Sequence, residues 1–408
     1  MELQARLGAP QREVKVTGLI CTGHFFSHFY LLLLPPIFPL LRDVYRVGFI
    51  ELGLTIAACS ITTGVTQVPV GFLVDRYSAR AILIAGIFLE SVAIALIGVF
   101  PTYGALVALM VAVGLANAVY HPADYAILNA SVDKSRIARA FSMHTFAGVL
   151  GDALAPATIL FLSAFLDWRA AMFVCGTCGA IVAALMWMNS GILHDTSHTH
   201  PAAQASGPQL RTGLALLLSV PVLMGLLFFV GISITGRGFT TFGVSALHEL
   251  YQTPLGTATV VLSAYLFASP VGVLAGGFAA DRSSRHDLIA TGCFVGTGAF
   301  AFAIAAFDLP LLVIGLLFAV AGFCSGFVTP ARDMMIRAIT PPGQMGKVFG
   351  FVSTGFNVGG VVAPILYGWL LDHSAPRNLF WVTGVVALLT VVTVLVTGLQ
   401  RRRARTSA

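Results

Sequence analysis

The sequence predicts an all-α membrane protein whose twelve transmembrane helices form two six-helix pseudo-symmetric halves. Three observations support this fold class. Of the 408 residues, 57% are hydrophobic and only 10% are charged, whereas soluble chains carry roughly 25% charged residues. Apolar stretches long enough to cross a bilayer recur along the chain. The second half also repeats sequence features of the first. Together with a mean hydropathy of +0.89, these observations exclude a large soluble domain.

Each predicted helix is an apolar stretch of about 20 residues or more, the length that crosses the roughly 30 Å hydrocarbon core of a bilayer. We place these stretches at about residues 17–41, 50–74, 81–100, 103–129, 138–165, 170–190, 214–247, 254–280, 288–306, 309–336, 345–371 and 378–398. The prediction is therefore twelve spans joined mostly by short loops.

The basic residues predict the orientation of the chain, because lysine and arginine concentrate in cytoplasmic loops. With a cytoplasmic N-terminus, seventeen basic residues fall in cytoplasmic segments and four fall outside. The cytoplasmic set is Arg6, Arg12, Lys15, Arg76, Arg80, Lys134, Arg136, Arg139, Arg211, Arg282, Arg285, Arg337, Lys347, Arg401, Arg402, Arg403 and Arg405, and the outer set is Arg42, Arg46, Arg169 and Arg377. The sequence thus predicts a multi-pass protein of the inner (plasma) membrane with both termini in the cytoplasm.

The two halves share a repeat with an offset of about 206 to 208 residues. Residues 71–76 return at 277–282, and residues 121–124 align with 329–332. Because each half has an even number of spans, the repeat is parallel, with an axis along the membrane normal. We predict an N-terminal half at residues 1–190, a cytoplasmic linker at 191–213, and a C-terminal half at 214–408 that ends in a basic tail.

The loop after the second span carries glycine, acidic and basic residues that recur in the second half. They are Gly71, Asp75, Arg76 and Arg80, with Asp281 and Arg282 as the repeated charges. In these residues the sequence resembles the major facilitator superfamily along its whole length, with Ser78 and Ala79 departing from the usual glycine and basic residue. The resemblance implies a gating loop, in which the glycine allows close helix approach and the charges latch one conformation. The alternative is that these charges only follow the positive-inside rule.

A closer resemblance is to the fosmidomycin-resistance type of exporter. The residues that carry it are Ser27, His28, Pro39, Leu40, Leu41, His121, Pro122, Ser142, Gly148, Gly151 and Pro156. This resemblance implies a proton-driven antiporter that expels small molecules, including drugs. Three ionisable residues, Asp124, His144 and Asp152, lie outside the shared pattern.

Ionisable residues within the spans are the candidate functional groups, because a charge at the bilayer centre costs about 2.5 to 3.5 kcal/mol on the mildest scale. They are His24, His28, Glu90, His121, Asp124, His144, Asp152, Arg237, Arg332 and Asp333. Each of them should face a partner or a water-filled cavity.

Four of these residues are predicted to couple transport to protons: Asp124, His144, Asp152 and Glu90. The repeat places Asp124 and Arg332 at equivalent positions, so we predict an ion pair that opens when Asp124 binds a proton, with a static structural pair as the alternative. His144 and Asp152, two turns apart on one span, are predicted to form a second proton-binding pair. Glu90 could equally be a structural contact.

Eight residues are predicted to bind substrate: His24, His28, Asn117, Tyr120, His121, Arg237, Arg332 and Asn357. His24 and His28 share one face of the first span, a spacing that suits substrate, proton or metal contact as well as packing. Asn117 and Tyr120 are predicted to line the cavity of Asp124, or else to join helices by hydrogen bonds. Arg237, between Gly236 and Gly238, is predicted to favour an anionic substrate together with Arg332, or to pair with Glu90 or Asp333.

The predicted function is secondary transport by alternating access, with proton-coupled export of a small organic, possibly anionic, molecule. No enzyme or ATP-binding motif occurs, so we predict no enzymatic activity, no cofactor and no resident metal. The predicted partners are the substrate, protons and the lipid bilayer, with no nucleic acid, and the protein is predicted to be a monomer. The alternatives are an uptake symporter for an organic anion such as a carboxylate, a divalent-metal transporter that uses His24, His28 and the linker histidines, and a non-transporting sensor.

Overall fold

A computed structural model describes residues 9–133, 136–193, 215–341 and 345–406. The described regular structure is helical. Its α-helices are α1 (Ala9–Leu31), α2 (Phe38–Tyr45), α3 (Phe49–Arg76), α4 (Ala79–Ile97), α5 (Tyr103–Asn117), α6 (Tyr120–Ser131), α7 (Ile137–Phe165), α8 (Trp168–Met188), α9 (Val220–Thr240), α10 (Gly243–Tyr251), α11 (Leu255–Arg282), α12 (His286–Ala306), α13 (Leu311–Ile339), α14 (Met345–Asp372) and α15 (Pro376–Thr406). Short 3₁₀ turns occupy Pro35–Ile37 and Ser190–Ile192.

Twelve segments of the described chain are long and apolar enough to span a membrane, which confirms the predicted fold class. Three of the predicted spans are interrupted. The first divides between α1, which ends at Leu31, and α2, which begins at Phe38. The fourth divides between α5 and α6 at Ala118 and Val119, and the seventh ends at Thr240 instead of continuing to residue 247. Apolar composition hides these interruptions, because hydropathy does not distinguish one continuous helix from two helices in series.

Several predicted features lie outside the described residues. They include most of the linker, Arg6, Lys134 and Arg211, and the side chains of Asp75, Lys347 and the tail arginines Arg401, Arg402, Arg403 and Arg405.

The chain divides into two compact units, with unit 1 formed by Met1–Val47 and Leu54–Pro201 and unit 2 by Gly48–Gly53 and Ala202–Ala408. Within unit 1, α1 packs on α7 and α4 packs on α8. Within unit 2, α9 packs on α14 and α12 packs on α15. These are the same pairs of spans counted from the start of each half. Each unit has its own buried apolar cluster, one around Ile20, Leu83 and Ile127 and the other around Phe229, Val348 and Val352.

Glycines line the contact between α11 and α13 in unit 2. A Cβ on Gly322 or Gly326 would overlap backbone carbonyls of α11, and one on Gly272 or Gly276 would overlap carbonyls of α13. The small residues therefore let the two backbones touch. Gly71 does not act in this way, contrary to the prediction, since a Cβ there would meet nothing within 4 Å among the described residues.

The carboxylate of Asp372 caps the start of α3 within unit 2. It accepts hydrogen bonds from the backbone N–H groups of Phe49, at 2.6 Å, and Ile50, at 2.8 Å. These N–H groups belong to the first turn of a helix and have no acceptor inside that helix. We expect Asp372→Ala to lower the free energy of unfolding by about 1 to 3 kcal/mol, measured by unfolding in detergent. The control is Asp308→Ala, which removes an exposed ion pair with Arg377 and should cost about 1 kcal/mol or less. Equal losses in the two variants would contradict the capping role.

Candidate functional site

The centre of the candidate site is the carboxylate of Asp124 in α6, which is fully buried in unit 1. Its Oδ2 lies 2.8 Å from Nε2 of His144 in α7, within hydrogen-bond distance. The same oxygen lies 3.3 Å from Nδ1 of His24 in α1. The two imidazole rings stack with centroids 3.6 Å apart. Neither Oδ1 of Asp124 nor Nδ1 of His24 has a hydrogen-bond partner among the described residues. The carboxylate therefore retains capacity to bind a proton or a polar group.

A second carboxylate and histidine lie beside the first. Nδ1 of His28, one turn after His24 in α1, is 2.9 Å from Oδ2 of Asp152 in α7. The two helices can approach because α7 carries glycines at the contact: a Cβ on Gly151 would overlap the backbone of Phe25, and one on Gly148 would lie 2.9 Å from both histidine rings. The glycines that the sequence shares with the fosmidomycin-resistance type thus make room for the two histidines.

The predicted pairing of His144 with Asp152 is wrong. These residues are eight apart on α7, which places them about 12 Å apart along the helix axis at 1.5 Å per residue. Side chains of that length cannot meet over such a distance. Each instead bonds to a residue on another helix, His144 to Asp124 and Asp152 to His28. The structure therefore contains two histidine–aspartate pairs, His144 with Asp124 and His28 with Asp152, in place of the predicted pair.

The carboxylate of Glu90, in α4, is also fully buried. Its oxygens accept hydrogen bonds from the hydroxyl of Tyr120, at 2.5 Å, and the amide of Asn117, at 3.3 Å. The same amide lies 3.4 Å from the carbonyl oxygen of Ser27. Asn117 and Tyr120 flank the break between α5 and α6, so these bonds tie both ends of the interruption to α4 and α1. This geometry matches the alternative in which Asn117 and Tyr120 join helices.

His121 borders the cluster without bonding to either carboxylate. Its ring centroid lies 5.3 Å from that of His24 and 6.4 Å from that of His144, and its ring stacks on Tyr125 at 6.1 Å. Among the predicted substrate residues of unit 1, His121 is exposed, and His28 and Asn117 are half-buried.

One group of side chains in unit 1 has donor atoms close enough for a metal ion. His24, Asp124 and His144 offer atoms that all lie within 4.8 Å of one another. However, the two histidine rings are nearly parallel, with an interplanar angle of 21°, so their in-plane lone pairs do not converge on one point as metal coordination requires. The arrangement fits a shared proton better than a shared metal ion.

Unit 2 places Arg332 of α13 beside Asp333 and two aromatic rings. Its Nε donates to Oδ1 of Asp333 at 2.8 Å, and its Cζ lies 5.0 Å from the ring of Phe229 and 5.5 Å from that of Phe356. Among the described residues, Asp333 is its hydrogen-bond partner, which leaves the terminal Nη groups as donors. Asp124 and Arg332 thus each find a partner within their own unit, and the ion pair predicted between them stays a prediction.

Arg237 lies within the seventh span, Val220–Thr240. It is in the last turn of α9, where its carbonyl oxygen accepts from the N–H groups of Thr241 and Phe242. A cation in that turn is favourable because it faces the negative end of the helix dipole. Arg237 is therefore close to one end of its span. Asn357 is half-buried on α14, next to the Phe356 ring that covers Arg332.

Unit 2 holds a small cavity where the repeat would place the Glu90 contacts. An offset of 208 aligns Asn117 with Ser325 and Tyr120 with Val328, and Glu90 aligns near Thr297. These three smaller residues line the cavity, together with Ile232, Thr235, Gly236, Tyr265, Cys293, Phe294 and Cys324. Oγ1 of Thr235 is buried there and lacks a hydrogen-bond partner among the described residues. At these aligned positions, which the structure describes, the second half has no counterpart of the Glu90 carboxylate.

The predicted gating residues lie at helix ends. Arg76 ends α3 and lies over the ring of Tyr77, while Arg282 ends α11 and lies over the ring of Phe278. Arg80 donates to the carbonyl oxygen of Ser190 at 3.2 Å. Asp281 is exposed. The latch role of all these residues stays a prediction. Ser78, which departs from the family pattern, caps α4 by accepting from the N–H of Ala81.

Three residues that contribute to the site were not predicted. Phe229 and Phe356 cover the Arg332 guanidinium, but among thirty phenylalanines nothing in the sequence distinguishes them. Gly148 leaves room for the rings of His24 and His28, because a Cβ there would lie 2.9 Å from both. It was noticed in the sequence only as part of a family pattern, without this role.

Comparison with known proteins agrees with this architecture. Residues 20–255 and 226–408 match the family model of the Major Facilitator Superfamily. The chain is 24% identical over 401 residues to the fosmidomycin resistance protein of Escherichia coli (strain K12), covering 93% of this chain and 92% of that protein. It is 26% identical over 355 residues to the probable nitrate/nitrite transporter NarK2 of Mycobacterium tuberculosis (strain H37Rv), covering 85% of each.

Among solved structures, the chain resembles the nucleoside transporter NupG, with a TM-score of 0.75 at 13% identity over 95% of this chain and 98% of that one. This likeness concerns the fold. The family match extends over both halves and confirms the resemblance seen in the sequence. The chain therefore belongs to the Major Facilitator Superfamily, a family of multi-pass membrane transporters and not of enzymes.

Proposed function

We propose that this chain is a proton-coupled antiporter that exports a small organic anion. The observation that carries the proposal is the fully buried carboxylate of Asp124, which shares one oxygen between His144 and His24. A carboxylate in a membrane interior is expensive to keep unless it is used or paired. Here its partners are histidines, whose two ring nitrogens can each donate or accept a proton.

The coupling step is a change in the charge of this buried group. Without a proton, Asp124 accepts the hydrogen bond of a histidine. With a proton, the carboxyl is neutral and that interaction weakens, which alters how α1, α6 and α7 hold together. A ligand can shift a conformational equilibrium only through different interactions with the two states, and proton binding at the junction of three helices supplies such a difference. The second pair, His28 and Asp152, offers a further proton-binding group in the same unit.

The substrate class is inferred from Arg332. An arginine with free terminal donors recognises carboxylates and related anions through paired hydrogen bonds. The Phe229 and Phe356 rings flank its guanidinium and would pack on the apolar part of an organic molecule. Among relatives, the name of the fosmidomycin resistance protein supports export, and the name of the nitrate/nitrite transporter supports an anion. We further propose an inner-membrane monomer with both termini in the cytoplasm.

The experiment uses the purified full chain in liposomes that contain a pH-sensitive dye. A gradient of fosmidomycin or of nitrate is imposed, and proton movement is followed together with movement of the labelled compound. Proton movement opposite to the compound supports antiport, and movement in the same direction supports the uptake symporter. Compound movement without protons would overturn the coupling, and neither movement with any anion of a wider panel would favour a sensor.

Two of the arginines of unit 2, Arg332 and Arg237, provide a prediction about the anion. Arg332→Gln should weaken binding of an anionic ligand by about 1.5 to 3 kcal/mol, because a charge-assisted hydrogen bond is lost. A neutral analogue of the ligand should be affected far less. Arg237→Gln, at the end of α9, should have the smaller effect of the two. Thermal shifts of the purified variants with each ligand measure both changes. Equal losses for the anion and the neutral analogue would mean that Arg332 is structural.

The second candidate function is divalent-metal transport, because His24, Asp124 and His144 offer three donor atoms within 4.8 Å. Zn²⁺ that binds at such a site in the folded protein stabilises that protein by mass action. Stabilisation of the wild type by Zn²⁺ that is lost in His144→Gln would favour this candidate. Stabilisation by anions but not by Zn²⁺ would favour proton-coupled anion export.

A further inference from the structure

We propose that His24 and His28 form a proton relay between the two carboxylates of unit 1, and that Gly148 keeps this relay open. The inference rests on the proposed proton coupling and assigns a path within it. It moves the two histidines from the predicted substrate contacts to proton transfer.

The two imidazoles are oriented alike toward their carboxylates. Nδ1 of His28 lies 2.9 Å from Asp152 Oδ2, and Nδ1 of His24 lies 3.3 Å from Asp124 Oδ2. Each ring thus turns Nδ1 toward its carboxylate, within a hydrogen bond for His28 and at a longer distance without hydrogen-bond geometry for His24, and keeps Nε2 for another partner. The residues are four apart on α1, and their ring centroids lie 4.8 Å apart. The order of groups is Asp152, His28, His24, Asp124.

Gly148 shows where the two remaining nitrogens lie. A Cβ on this glycine would be 2.9 Å from Nε2 of His24 and 2.9 Å from Nε2 of His28. The two nitrogens are therefore at most about 5.8 Å apart, twice 2.9 Å. One water molecule that makes two hydrogen bonds of roughly 2.7 to 3.2 Å joins nitrogens at this separation. A side chain on α7 at this position would press against both rings.

The two ends of the relay differ in solvent exposure. The side chains of His28 and Asp152 are 30% and 28% exposed, whereas those of His24 and Asp124 are 4% and 0% exposed. The buried carboxylate thus lies behind the accessible pair. The other titratable groups that face the relay include His144, whose Nε2 shares the Asp124 oxygen, and His121, whose ring lies 5.3 Å from His24. Cys21 and Tyr120 also lie near enough to interact electrostatically with Asp124.

The relay transfers one proton from Asp152 to Asp124. Protonated Asp152 gives its proton to Nδ1 of His28, and the Nε2–H of His28 passes its proton to the bridging water. The water gives a proton to Nε2 of His24, and the Nδ1–H of His24 protonates Asp124. One proton leaves Asp152 and one arrives at Asp124, while both imidazoles end as neutral tautomers. The return of each ring to its first tautomer completes the cycle.

The test follows protonation of Asp124 itself, so that no substrate is needed. A light-triggered pH drop is applied to the purified protein in lipid, and infrared spectroscopy follows the carboxylic-acid C=O band that Asp124→Asn removes. In Gly148→Ala the added methyl group should separate the rings, and in His28→Gln the accessible ring is absent. Both variants should slow the rise of this band on the order of tenfold to a hundredfold, with the final amplitude retained. Gly18→Ala, on α1 with nothing within 4 Å of the added methyl, should keep the wild-type rate.

The outcomes separate the relay from the proposed function. If the band rises at the wild-type rate in both Gly148→Ala and His28→Gln, the relay is wrong while proton coupling at Asp124 stands. If no Asp124 band forms in the wild type, the proposed coupling itself fails. Where Gly148→Ala does not fold, His28→Gln and His28→Ala decide the outcome, and added imidazole should restore the rate of His28→Ala if the ring carries protons.

Discussion

Asp124→Asn is expected to abolish proton movement driven by a substrate gradient, while exchange of substrate across the liposome membrane continues. The reason is that asparagine has the shape of protonated aspartate but cannot release a proton. The carboxylate of Asp124 is fully buried between two histidines, so solvent water cannot replace it as the proton acceptor. The variant should therefore behave as a permanently protonated carrier. Dye-reported pH change and exchange of labelled fosmidomycin or nitrate, measured in the same liposomes, test this expectation.

The matched control for this variant is Asp43→Asn. The side chain of Asp43 is 76% exposed and pairs with the adjacent Arg42, so its neutralisation should leave both proton movement and exchange near wild-type values. Wild-type proton movement in Asp124→Asn would show that another group carries the proton. Glu90, buried in the same unit with Tyr120 and Asn117 as its donors, would then be the next carboxylate to replace.

The number and position of the spans could be predicted because the bilayer imposes length and apolarity on each helix. The break in the fourth span could not. Pro122 has no N–H to donate to the carbonyl four residues earlier, and α5 gives way to α6 just before it. Yet Pro330, at the equivalent position of the repeat, lies inside the continuous helix α13. A proline at this position therefore does not by itself decide whether a helix divides. In the first half Asn117 and Tyr120 bond to Glu90, whereas Ser325 and Val328 stand at the aligned positions of the second half.

The candidate site was predictable by residue type but not by pairing. The cost of charge in a membrane singled out Asp124, Asp152 and their histidines. Which histidine meets which carboxylate depends on how α1, α6 and α7 are rotated and staggered, and spacing along one helix does not give that information. His144 and Asp152 share a face of α7 and yet bond to different helices. The same limit applies to Arg332, whose neighbour Asp333 is adjacent in sequence but was not predicted as its partner.

A double-mutant cycle on Asp124 and His144 is expected to show strong coupling. Removing one member of a buried hydrogen-bonded pair leaves the other without its partner, which costs about 3 to 5 kcal/mol when the group left behind is charged. Asp124→Asn and His144→Gln should therefore each destabilise the protein, whereas the double variant removes both halves of the interaction. Its free energy of unfolding should exceed the value expected from adding the single effects by about 0.5 to 3 kcal/mol.

A second cycle, with Arg332→Gln in place of His144→Gln, tests the ion pair between Asp124 and Arg332 that the repeat predicts. The structure gives Asp124 a partner in His144 and gives Arg332 a partner in Asp333, so the His144 cycle should show the larger coupling. Additive effects in the His144 cycle, measured by unfolding in detergent at the pH of transport, would contradict the central contact of the site. Coupling in the Arg332 cycle as large as in the His144 cycle would instead support an ion pair between the equivalent positions. Proton binding at Asp124 would then act on two partners, because neutralising the carboxyl would release the arginine together with the histidine.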